Sequence, residues 1–225
     1  MLKPELETLF PDNNIHYNIY NEEFVELTDF LCEHFYAAQN LKGSINKCYL
    51  RKSVAEKLKI AEKKLPDGYK FKIYDGWRPF SVQKNLYDNY RKKVEKSIPG
   101  LTEEEINELT KLFVSPPLWD KIAGPVHTTG GAIDLTIVDE NGNELDMGTE
   151  FDCFKDTANT NYFELNDINE EFKNNRRLLY TVMIEAGFTN LPTEWWHFDY
   201  GNKFWAFYTK NDAIYDCVFD VEELL

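Results

Sequence analysis

Two histidines in this 225-residue chain lie in segments unlike ordinary surface loops. His127 stands in Gly124-Pro-Val-His-Thr-Thr-Gly-Gly-Ala-Ile-Asp134 and His197 in Thr193-Glu-Trp-Trp-His-Phe198, so each has a carboxylate within a few residues. Ligands to one divalent ion must converge to about 2.0–2.2 Å from it. His127 and Asp134 are seven positions apart. On a straight helix that offset separates them by about 10 Å, and on a straight strand it puts them on opposite faces. For both to reach one ion the chain must turn back between them. Gly130-Gly131 permits the turn, because glycine accepts positive φ and close backbone approach, and Asp134 then opens a strand. Glu194 and His197, three apart, would share a helix face but lie on opposite faces of a regular strand. An irregular entry into a strand is therefore expected, bringing both to one cavity.

These spacings point to a metal ion held by His127, Asp134 and His197. Three protein ligands with one open position is the pattern of a catalytic zinc site. Glu194, if it is not a ligand, stands where it could take a proton from the attacking water. Upstream, Tyr74-Asp-Gly-Trp-Arg-Pro-Phe80 ends a strand in a turn that Pro79 rigidifies, so Arg78 projects in a defined direction. A guanidinium facing the metal would stabilise a tetrahedral oxyanion. Each piece alone has a plainer reading. A lone histidine is more often hydrogen-bonded packing, the reading given to His16 and His34. An isolated turn arginine more often bonds backbone carbonyls, and Trp195 and Trp196 are more often core. The conjunction of all three segments in one small chain favours the metal site.

The elements alternate in type. Ile15, Tyr17 and Ile19 have strand period over 15–20. Val54, Leu58, Ala61 and Leu65 give a helix over 51–65, ended by Pro66-Asp67-Gly68. A strand over 69–74 and a helix over 81–96 follow. Thr102 and Glu105 form a capping box for a third helix carrying Ile106, Leu109 and Phe113. A strand over 133–138 leads to a hairpin-type turn at Asn141-Gly142. A long helix spans about 167–186 with Gly187 at its C-terminal cap. Segments 196–200 and 204–208, flanking Gly201-Asn202, read as a closing β-hairpin. The expected class is α+β, an antiparallel β-sheet flanked by helices, in one domain over 1–225.

Lys plus Arg number 25 against 39 Asp plus Glu, a net charge of −14 that argues against nucleic acid or an anionic membrane surface as partner. No apolar run approaches the ~18 residues of a membrane span, and the first ten residues lack the apolar core of a signal peptide. A soluble, cytoplasmic protein is expected. Cys32, Cys48, Cys153 and Cys217 form no CxxC pair and read as reduced thiols.

The most specific segments are His127-Thr-Thr-Gly-Gly-Ala-Ile-Asp-Leu-Thr136, Asp146-Met-Gly-Thr-Glu-Phe-Asp152, Asn175-Arg-Arg-Leu-Leu179 and Glu194-Trp-Trp-His-Phe198. Together they resemble the D-alanyl-D-alanine dipeptidases of the VanX type, within the zinc peptidase group that includes D,D-carboxypeptidases and the hedgehog signalling domain. The resemblance runs from about Ile15 to Phe207. It implies the hedgehog/D,D-peptidase-like fold and one zinc ion on His127, Asp134 and His197. It also implies Glu194 as general base and acid, and Arg78 as the group that stabilises the transition state. It further implies that Asp152 receives the free amino group of a dipeptide. The chain departs from the pattern at Pro125, where the family usually has serine, and at Trp77, where tyrosine commonly precedes the arginine.

The expected activity is zinc-dependent hydrolysis of D-Ala-D-Ala releasing D-alanine, with a small dipeptide as the substrate. The alternatives are a related peptidoglycan carboxypeptidase or endopeptidase, and a non-catalytic metal-dependent binding protein on the same fold.

Overall fold

The computed structural model of the protein describes residues 1–4, 15–111, 113–166 and 168–224. In chain order the strands are β1 (Phe24–Glu26), β2 (Leu31–Cys32), β3 (Tyr49–Arg51), β4 (Lys70–Asp75), β5 (Ala132–Val138), β6 (Thr189–Asn190) and β7 (His197–Asp199). The helices are α1 (Phe35–Ala38), α2 (Lys52–Glu62), α3 (Phe80–Ser97), α4 (Glu103–Lys111), α5 (Tyr162–Asn166), α6 (Glu170–Glu185) and α7 (Lys203–Thr209).

Among the described residues, five strands form the main sheet in the order β2-β4-β5-β7-β6, and β1 pairs with β3 in a separate ribbon. The central strand β5 is buried at every position, as its unbroken Ala-Ile-Asp-Leu-Thr-Ile-Val run requires of a strand covered on both faces. The sheet is antiparallel apart from its edge, where β2 runs parallel to β4. The α+β architecture with a largely antiparallel sheet is therefore as expected, and the parallel edge is the exception.

Helix α2 buries Val54, Ala55, Leu58 and Ala61 at helical spacing, so its apolar stripe joins the core that holds Leu50, Phe71, Ile73, Ile133, Leu135 and Met183. The capping box of α4 is formed. Thr102 Oγ1 accepts from Glu105 N at 3.3 Å, and Thr102 N donates to Glu105 Oε2 at 2.8 Å. Helix α6 starts at Glu170, capped by Asn169, whose side chain accepts from the backbone of Glu171 and Phe172. The expected start at Asp167 lies outside the described residues. Gly187 follows the helix in the left-handed region, as a C-terminal cap requires.

Three readings are corrected. Segment 204–208 is not a strand but most of α7, because the side chain of Asn202 accepts from the backbone of Phe204 and Trp205 and nucleates a helix where aromatic content suggested a hairpin. Segment 15–20 makes only one bridge, Tyr17 to Ala213, with short backbone bonds around it. It lies along the chain's C-terminal segment instead of entering a sheet. Helix α4 ends at Lys111, so Phe113 stands beyond it and packs edge-on against Phe154. The Asn141-Gly142 turn does reverse the chain, though only a single bridge, Val138 to Glu144, follows it. Cys32, Cys48, Cys153 and Cys217 are free thiols. Among the described residues no helix is long and apolar enough to cross a membrane.

Candidate metal centre

Three neighbouring strands set the site. Asp75 of β4 is opposite Asp134 of β5, and Asp134 is opposite His197 of β7. The β4 register shifts between Ile73 and Asp75, an irregularity of the kind that re-aims side chains beside functional sites. Three acid and base side chains therefore lie in one row across the sheet. Asp134 is the third residue of its strand, not the first as expected. His127 joins the row from a 3-10 turn, Val126–Thr129, that reverses the chain through Gly130 at φ 73°. A side chain at Gly130 would also collide with the Phe24 ring. The expected reversal between His127 and Asp134 is thus present.

His127 Nε2 and His197 Nδ1 face each other at 3.2 Å. Asp134 Oδ1 lies 3.1 Å from His197 Nδ1, and Asp134 Oδ2 lies 3.3 Å from His127 Nε2. The other nitrogen of each ring is committed. His127 Nδ1 donates to the Gly76 carbonyl at 2.9 Å, and His197 Nε2 donates to Asp199 Oδ2 at 3.1 Å. With those protons assigned, the neutral rings turn two lone pairs and a carboxylate toward one point, an arrangement that calls for a cation. Donors about 2.0–2.1 Å from a tetrahedral zinc stand about 3.3–3.4 Å apart, so the three side chains fit the ion. They are buried, and among the described residues they form a group able to hold a metal. Burial opposes ionisation of Asp134, and when the imidazoles instead carry a second proton their charge and hydrogen bonds hold its carboxyl well below the usual carboxylate range.

Glu194 enters from a turn in which His197 N donates to the Glu194 carbonyl at 3.2 Å. This is the irregular entry the three-residue spacing demanded, and it brings Glu194 Oε2 to 3.8 Å from His197 Nδ1. Burial pushes the Glu194 carboxyl up to about 7, with Asp134 and Asp152 adding to the effect and His197 opposing it. Arg78 is buried behind Asp134. Its Nε donates to Asp75 Oδ2 at 2.7 Å, one terminal nitrogen to Gln83 Oε1 at 2.8 Å, and the other to Tyr36 Oη at 3.3 Å and Asp134 Oδ2 at 3.4 Å. Asp152 sits at φ 62°, close enough for Arg78, Asp134 and Asp75 to act on its charge, and burial raises its carboxyl to about 6. His16 is exposed, not packed as expected, and neither it nor His34 belongs to the cluster. Trp195 and Trp196 are core residues, each 3% exposed.

Sequence reasoning missed Asp199 and Asn202. Asn202 Nδ2 donates to Asp199 Oδ1 at 2.6 Å while its own oxygen caps α7. One asparagine therefore ties the last helix to the carboxylate that orients His197, the outer-layer support a metal-binding histidine needs. The signal was legible: Asp199 is two residues from His197, on the same face of a strand.

A His-Asp-His cluster built on two strands and the turn before them, with a half-buried glutamate at its side, is the make-up of a metal-dependent hydrolase. A family model described as D-Ala-D-Ala dipeptidase matches residues 27–218. The D-alanyl-D-alanine dipeptidase of Synechocystis sp. is 29% identical over 176 residues, covering 70% of this chain and 71% of that protein. The fold is similar to that of a mutant of the vancomycin resistance D,D-pentapeptidase VanY in complex with Zn(II). That match has a TM-score of 0.50 at 14% identity and covers 91% of this chain and 94% of the other. VanYB in complex with D-alanine-D-alanine matches with the same TM-score and identity, over 91% and 93%. The chain belongs to the D-Ala-D-Ala dipeptidase family of metallopeptidases.

Proposed function

We propose that this protein hydrolyses the dipeptide D-Ala-D-Ala in the cytoplasm, with one zinc ion held by His127, Asp134 and His197. The observation that carries the proposal is the convergence of His127 Nε2, His197 Nδ1 and both Asp134 oxygens, with Glu194 3.8 Å from His197. The two solved relatives in complex with Zn(II) and with D-Ala-D-Ala support the choice of ion and substrate.

When bound, zinc supplies Lewis acidity toward the scissile carbonyl and lowers the pKa of a water molecule. Glu194 takes a proton from the attacking water and returns it to the departing amine. A carboxyl poised near 7 can do both at neutral pH. Arg78 carries charge that Tyr36, Asp75 and Asp134 reinforce against the cost of burial. Four contacts occupy four of its five N–H donors. Held in this way beside Asp134, the guanidinium stabilises by its charge the oxygen that becomes negative in the transition state. Asp152, ionised above about 6, pairs with the substrate ammonium. A peptide extended at its N-terminus has no ammonium at that position, so the pairing selects dipeptides over longer stems.

The test is D-alanine release from D-Ala-D-Ala by zinc-loaded protein, beside EDTA-stripped protein and beside N-acetyl-D-Ala-D-Ala. Zinc-dependent release, much faster from the free dipeptide than from the acetylated one, is expected. Preference for the acetylated substrate would make the protein a carboxypeptidase of longer stems. Inertness of the zinc-loaded protein on both would make it a binding protein.

A further inference from the structure

Two of the sequence segments singled out above, Asp146–Asp152 and Asn175–Leu179, meet in the structure. Arg176 projects from α6 and spends its guanidinium on three backbone carbonyls. Its Nε donates to Met147 O at 2.8 Å, one terminal nitrogen to Asn159 O at 2.7 Å, and the other to Thr157 O at 2.8 Å. Met147 lies at one end of the loop over 147–159, and Thr157 and Asn159 lie at the other. The side chain is 2% exposed, and its guanidinium lies over the Phe163 ring at 4.5 Å. The preceding residue, Asn175, donates to Asp146 O at 2.8 Å.

We infer that Arg176 is a positioning residue that fixes Asp152 for the substrate's ammonium group by clamping both ends of the loop that carries it. The inference rests on the reading of Asp152 given under Proposed function. A planar fork reaching three carbonyls sets their relative positions, which an ammonium point charge does not. Further fixtures leave the apex little freedom. Gly148 stands at φ 81°, where a side chain would strike the Phe163 ring at 2.5 Å, and Trp195 Nε1 donates to Thr149 Oγ1 at 2.8 Å. Phe151, next to Asp152, is stacked on Tyr74 at 4.4 Å and set edge-on to Trp196. Asp152 itself holds a left-handed backbone conformation that a loose loop would relax. The far end of the loop also meets the turn bearing Glu194, since Trp195 N donates to Ala158 O at 3.1 Å. The clamp therefore joins the site of ammonium binding to the site of proton transfer.

The test compares kcat/KM for D-Ala-D-Ala with that for N-acetyl-D-Ala-D-Ala in zinc-loaded wild type, Arg176→Met, Asp152→Asn and the double variant. A misplaced anchor costs roughly 10- to 100-fold. Arg176→Met should lose that factor of preference for the free dipeptide, mainly through KM, while still binding stoichiometric zinc. In the Asp152→Asn background the same change should leave the preference unaltered, because the group it positions is gone. General destabilisation would lower both substrates together and leave their ratio intact. Where Arg176→Met does not fold, Asn175→Ala, which removes the contact to Asp146 at the same end of the loop, should shift the ratio in the same direction by a smaller factor. An unchanged ratio in the folded variant, or equal losses in both backgrounds, overturns the inference. An unchanged ratio in Asp152→Asn alone overturns the reading of Asp152 instead.

Discussion

His197 Nε2 and Asp199 Oδ2 lie 3.1 Å apart, and this contact leaves Nδ1 as the nitrogen of His197 that faces His127 and Asp134. Removing the carboxylate frees the ring to change tautomer and rotate. Asp199→Ala is expected to weaken zinc binding about 10- to 100-fold, the usual effect of losing such a partner. Competition with a chromophoric chelator measures it. Asn202→Ala should act in the same direction, since Asn202 orients Asp199 at 2.6 Å.

Glu194 is placed beside the three converging side chains and is not one of them. Glu194→Ala should therefore retain one zinc per chain by atomic absorption while turnover falls by about 10²–10⁴, the usual worth of general acid–base catalysis. Retained turnover would remove Glu194 from proton transfer.

The oxyanion role proposed for Arg78 and its pairing with Asp75 are separated in a single variant by different measurements. As an oxyanion donor its loss in Arg78→Ala should cost on the order of 10²–10³ in kcat. As the partner of Asp75, 15% exposed at its side chain, its loss leaves a carboxylate uncompensated and should lower stability by about 3–5 kcal/mol. Chemical denaturation reads the second effect. The rate should be measured where the variant is fully folded.

On the proposed pairing of Asp152 with the substrate ammonium, its raised pKa should give the reaction an acid limb in KM. Its carboxyl is ionised above about 6 and neutral below, so KM for D-Ala-D-Ala should climb as pH falls through that value. Asp152→Asn should abolish this dependence. The sign for stability is the reverse: a carboxyl that protonates more readily folded than unfolded destabilises the fold as pH rises through the interval between the ordinary value and about 6. Asp152→Asn should therefore raise Tm at neutral pH while impairing catalysis.

Zinc should also stabilise the fold. At a free concentration of about 100 times Kd the gain is about 2.7 kcal/mol, and for a domain of this size each kcal/mol moves Tm by about 2–4 °C. Thermal scans with and without EDTA measure it. Absence of any shift would mean that the cluster does not bind the ion.

Much of this protein follows from local chemistry and was legible in the sequence. Thr102 with Glu105 starts α4 because an N-cap and its reciprocal acid satisfy orphan amides without help from elsewhere. The stripe of Val54, Leu58 and Ala61 defines the buried face of α2 by helical period alone. His127, Asp134, Glu194 and His197 were recognisable because each spacing required a turn or an irregular strand entry, and both are present. The helix over 204–208 has a local signal too, the N-cap Asn202, but aromatic composition favoured a strand there. Other features depended on partners distant in sequence. The register of β5 against β7 set Asp134 opposite His197, and a shift of one residue would have turned one of them to the other face. The task of Arg176 is tertiary in the same sense. A guanidinium becomes a clamp only once folding has brought to it the carbonyls of Met147, Thr157 and Asn159, which lie 17 to 29 positions away along the chain.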